Sequence, residues 1–149
     1  MKLALFFHLL GVAVWVGGMF FAYLCLRPVA GALLEPPQRL RLWSGVFSRF
    51  FPWVWLSVVA ILVSGTYMLY LIGERYAPVY AHAMAATGVV MMLIFGHVYF
   101  GPYRRLQRAV EAQDWPAGGA ALNQIRILVG ANLALGLAVI AIATLGAML

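Results

Sequence analysis

Four long apolar stretches divide the chain, and the segments between them hold nearly all of its charge. The first runs from about Leu3 to Leu26 and the second from about Phe51 to Ile72. The third runs from about Val79 to Tyr103 and the fourth from about Ile127 to Met148. Each is long enough to cross a hydrocarbon core of ~30 Å, which takes about 20 helical residues. None shows the two-residue alternation of a barrel strand, so each predicts a transmembrane helix. The first stretch far exceeds a signal-peptide core of about 7–15 residues and reads as a retained span. Chain breakers fall between the stretches: Pro28, Pro36 and Pro37 after the first, and Gly73 and Pro78 around the short second connection. Trp115-Pro116 and Gly118-Gly119 break up the third connection, and Pro52 opens the second span, where a helix tolerates it. The expected fold class is all-α: one integral membrane four-helix bundle spanning residues 1–149.

Composition strengthens this picture. Apolar residues make up 65% of the chain and charged residues 9%, against about a quarter charged in soluble domains. The net charge of +6 would suggest nucleic acid, but its placement does not. Arg27, Arg39, Arg41 and Arg49 fall in the first connection. Arg104, Arg105, Arg108 and Arg126 fall in or beside the third. That is the pattern of membrane flanks, which excludes a nucleic-acid face. By the positive-inside rule these two connections lie in the cytoplasm, and both termini lie on the outer, periplasmic side. The second connection, with Glu74 and Arg75, lies outside too. Pro37 to Trp43 mixes basic and apolar residues and predicts an interfacial helix. Tyr70, Tyr76 and Tyr80 mark the outer boundary. A single cysteine, Cys25, allows no intrachain disulfide and reads as a small packing residue.

Intramembrane polar groups are costly and are the first place to seek a site. The spans hold no Asp, Glu or Lys, and no nucleophile triad, zinc-protease motif or phosphate loop. Three histidines remain. His8 lies about two turns into the first helix and His82 about one turn into the third, both from the outer end. At matched depth on two helices they could meet across the bundle as cofactor or metal ligands. Simple interfacial hydrogen bonding is the plainer alternative. His97 lies near the inner end of the third helix, at the depth of Asn132 on the fourth, and an interhelical hydrogen bond between them is expected. Its other possible role is a second ligand site. His82 and His97 end about 60° apart around the helix, so one broad face could carry both. In the first helix His8, Gly11, Trp15, Gly18 and Ala22 share a stripe. Its glycines would admit either a flat cofactor or a neighbouring helix. The methionines Met19, Met68, Met84, Met91 and Met92 are scattered over three helices without a ladder. They read as core filling, although thioethers suit Cu(I).

The stretch from His8 through Trp15 to Gly17-Gly18, and Gly96-His97-Val-Tyr-Phe-Gly101-Pro102-Tyr103-Arg104-Arg105-Leu106, with four spans around them, carry a resemblance. The chain resembles the copper resistance protein D (CopD) family of bacterial inner-membrane proteins. The second stretch is also similar to the HemJ-type protoporphyrinogen oxidases, in which a first-helix histidine is tied to haem. The resemblance implies copper handling by name and haem by kinship, and it points to His8 first. The fourth helix lacks the lysine that HemJ-type enzymes carry, which argues against protoporphyrinogen oxidation.

Three functions follow as expectations. The leading one is a b-type haem with His8 and His82 as axial ligands, used for electron transfer with a redox partner or quinone. Its propionates would face outward toward Lys2 and Arg75, and Tyr67 or Tyr70 could fix a ligand tautomer. The second is copper transport or tolerance through His and Met ligands, with His97 a further candidate. The third is a cofactor-free partner-binding subunit. A homodimer is expected on general grounds.

Overall fold

The computed structural model describes residues 1–148. They form helices almost throughout. Helix α1 spans Lys2–Phe20 and passes through a π-helical turn, Phe21–Leu26, into α2, Arg27–Leu33. Helix α3 is a single rod of 37 residues, Pro36–Ile72. A short 3₁₀ turn, Glu74–Tyr76, leads to α4, Val79–Phe100. Helix α5, Pro102–Glu111, and α6, Trp115–Gly146, complete the chain. Four helical stretches are long and apolar enough to cross a membrane: Lys2–Leu33, Pro36–Ile72, Val79–Glu111 and Trp115–Gly146.

The spans lie where hydropathy puts them, but their ends do not. The arginine segments are helix rather than loop. Only Leu34 and Glu35 separate α2 from α3. Pro36 and Pro37 sit in the first turn of α3, where no N–H donor is needed. The expected interfacial helix at Pro37–Trp43 is therefore the first part of α3. Pro52 lies inside that rod rather than at a helix start. Pro116 likewise occupies the first turn of α6, which Asp114 caps by accepting from the Ala117 N–H at 3.2 Å. Gly118 and Gly119 are helical. At about 1.5 Å per residue, the 37 residues of α3 extend well beyond a hydrocarbon core of ~30 Å. The arginines ride on these extensions. The opposite break also occurs: Gly101 ends α4, and Pro102 starts α5, placing Arg104, Arg105 and Arg108 on a separate amphipathic helix. At the other end of the bundle Gly73 closes α3 with φ +82°, a left-handed conformation that favours glycine.

Packing pairs α1 with α3, and α4 and α5 with α6. Glycines bring the helices close. A Cβ on Gly11 would stand 2.9 Å from Ile61, and one on Gly18 would stand 2.3 Å from the Phe50 ring. A Cβ on Gly136 of α6 would lie 3.0 Å from Val16 and 3.2 Å from Met91. These three residues therefore share one level. The two helix pairs are joined through an aromatic core. Trp15 meets Phe95 at 6.1 Å, Phe51 meets Phe95 at 5.4 Å and Tyr103 at 4.8 Å, and Phe47 stacks on Phe51 at 4.9 Å.

Candidate functional site

Histidine 8 is the best-placed of the three imidazoles. It sits half-buried on the face of α1 that packs against α3. Its Nδ1 lies 3.0 Å from the Ser64 hydroxyl. Ser64 is buried, and its one proton goes back to the carbonyl of Ala60, a turn earlier on α3. The serine oxygen must then accept from His8, so the proton sits on Nδ1. That tautomer leaves the Nε2 lone pair free to bind a metal. Gly65 makes the room: a Cβ there would stand 3.3 Å from the His8 ring. The hydroxyl partner is Ser64 rather than Tyr67 or Tyr70, both of which are exposed. Met68 lies one turn from Ser64 along the same face of α3 and is half-buried.

His82 and His97 are placed differently. The buried positions of α4 are Met91, Phe95 and Val98. His82, Ala86, Val90, Leu93, His97 and Phe100 are all exposed and recur at three- or four-residue steps. Both histidines thus share one stripe of α4, the outward one. His97 does not bond Asn132. Asn132 is 3% exposed and donates to the Met91 carbonyl at 3.3 Å, while its own Oδ1 is buried without a partner.

These placements bear on the expected haem. Val16 and Met91 are level, and eight residues back along the two parallel helices lie His8 and Ala83, next to His82. The two histidines share a depth but not a space. His8 turns to α3, His82 is exposed on α4, and α1 and α4 are not a packed pair. The stripe beside His8 is also occupied. Gly11 and Gly18 receive Ile61 and Phe50, and Trp15 is buried against Phe95. Helix packing, not a flat ring, uses those glycines. Lys2 and Arg75 are exposed at that end of the bundle. The residues present do not fit a haem between His8 and His82.

Two cavities stand out, and neither is lined by a histidine. A small one of about 20 Å³ lies in the middle of the bundle among Trp15, Met19, Phe51, Phe95 and Asn132. A large one of about 660 Å³ lies at the arginine end, between the π turn and α2, the start of α3 and the start of α6. Sequence patterning gave no hint of it beyond the arginines themselves. No group of three or more His, Cys, Asp or Glu side chains is placed to hold a metal among the described residues.

Compared with known proteins, residues 44–145 match the family described as copper resistance protein D. The match covers about two-thirds of the chain, from within α3 to the end of α6. The chain belongs to the copper resistance protein D family. No curated protein and no solved structure matches it. The family match includes His82, His97 and Ser64 but begins after His8. The kinship to HemJ-type proteins finds no support in these comparisons. For a CopD family member, copper is the metal that the family's name carries.

Proposed function

We propose that this CopD-family membrane protein handles copper as its cargo in the bacterial inner membrane, and that His8 meets the ion. The observation that carries the reading is the His8–Ser64 pair. A buried hydroxyl holds Nδ1 and presents Nε2, the arrangement that orients an imidazole for a metal. Cu(I) accepts imidazole and thioether donors. Met68, on the same face of α3 as Ser64, is the candidate second ligand. Met91 and Met19, both 3% exposed, would offer soft donors deeper in the bundle.

The experiment is copper accumulation in cells expressing the protein, measured by elemental analysis. His8→Ala should reduce protein-dependent copper by about tenfold, the worth of one lost ligand or its support, with the amount of membrane protein unchanged. Wild-type accumulation in His8→Ala would remove the reading. Orientation belongs to the same proposal: the arginine end faces the cytoplasm, so copper would reach His8 from outside. With Cys25 replaced, a cysteine at Glu74 should react with an impermeant thiol reagent in spheroplasts. One at Arg105 should not, and the reverse pattern would invert the protein.

A further inference from the structure

The large cavity at the arginine end has a one-sided charge. Arg27, Arg39 and Arg126 line it, and no Asp or Glu does. The Arg27 guanidinium lies over the Tyr23 ring, 4.7 Å from its centre. The Nε of Arg39 is closed off from solvent and has no hydrogen-bond partner among the described residues. A buried N–H of this kind is costly unless it donates to something. Three guanidiniums around one space, without a carboxylate among them, suit an anion. Arginine's planar fork matches phosphate in particular. The remaining wall is apolar and includes Leu24, Leu122, Val129 and Phe47. Gly31 and Gly119 also face this space, and a Cβ on either would meet nothing within 4 Å. The cavity is therefore charged on one part of its wall and greasy on another. It lies at the end of the bundle where helices emerge from the hydrocarbon.

We propose that this cavity seats an anionic phospholipid, with its phosphate held by Arg27, Arg39 and Arg126 and an acyl chain laid along Leu24, Leu122 and Val129. Basic pockets between transmembrane helices bind such headgroups through the same combination of charge and depth. The site is separate from the copper reading, since no His or Met lines it.

The test uses the full-length protein in detergent, titrated with phosphatidylglycerol or phosphatidylcholine and followed by native mass spectrometry. Phosphatidylglycerol should be retained about tenfold better than phosphatidylcholine, as expected for several arginines facing one anionic headgroup. The double variant Arg39→Gln, Arg126→Gln should lose about the same factor. Gly119→Trp, which keeps every charge but fills the space, should lose retention too, with elution volume and melting behaviour unchanged. Should the arginine variant fail to fold, Gly119→Trp decides alone. Equal retention of the two lipids, or full retention in Gly119→Trp, would overturn the proposal. Loss in Gly119→Trp with none in a folded arginine variant would leave a mere apolar groove and overturn it as well. Displacement of the lipid by millimolar inorganic phosphate would identify a free-phosphate site and reject the lipid.

Discussion

The two ends of this bundle solve opposite packing problems. At the end that carries the termini, α1 and α3 are drawn so close that a histidine and a serine touch across the seam. At the arginine end, the π turn, α2, α3 and α6 part around about 660 Å³. One end holds an imidazole in a fixed setting at a helix seam. The cavity at the other end has volume and charge, and no histidine or methionine lines it. The difference teaches that depth alone does not define a site. His8 and His82 are level, yet only the histidine at a helix seam is held in a fixed tautomer.

Forcing apart the α1–α3 seam that leads from the tight end to mid-bundle is the strongest way to test this contrast. Gly18→Leu should have the largest effect, because the added carbons meet the Phe50 ring at once. Overpacking of this sort costs about 1–3 kcal/mol. A thermal or denaturant melt in detergent should show the loss, and the arginine-end cavity should still bind its occupant in the surviving folded fraction. A melt matching wild type would mean that α1 and α3 are not locked at Gly18.

Ser64→Ala should come next. It removes the hydroxyl that fixes His8 but leaves the imidazole. A membrane hydrogen bond of this kind is worth about 0.6–1.7 kcal/mol. Copper accumulation should fall by a few-fold, less than in His8→Ala. An equal fall in both would show that Ser64 does more than orient His8, and no fall would show that the tautomer is irrelevant.

The smallest effect is expected from His82→Leu and His97→Leu, singly or together. Both residues are exposed on the outward stripe of α4. Stability should stay within about 0.5 kcal/mol of wild type, as for surface positions without a partner. A marked loss of stability or of copper accumulation would show that this stripe is covered, with a second copy of the chain as the first candidate to supply the cover.

Much of the fold was legible because twenty apolar residues in a row have few alternatives. The segment ends were not, since proline is harmless in a first helical turn. Pro36, Pro37 and Pro116 therefore look the same at a helix start as in a loop. Glycine in a membrane helix is equally ambiguous, and Gly118-Gly119 marked a helix rather than a break. Facing was the deeper gap. A helix that is apolar all round carries no amphipathic signal, so α4 gave no sign that His82 and His97 point outward. The His8–Ser64 pair joins residues 56 positions apart, and single-sequence patterning has no register for that distance. Asn132 shows the same limit. Its depth suggested His97 as partner, but the turn of α6 aims it at the Met91 carbonyl.

The brevity of the links has a consequence for how the protein is made. Only Leu34 and Glu35 join the first two rods, and only Ala112 to Asp114 separate α5 from α6. Each hairpin is therefore contiguous in the chain and contains most of its own packing. As synthesis proceeds, the first hairpin can close before α4 exists, and the second can close as soon as α6 emerges. Cooperative units of this kind often coincide with such local motifs. The seam between them, where Trp15 meets Phe95 and Val16 meets Gly136, forms last, so the two halves of this protein are natural candidates for separate production and reunion in the bilayer.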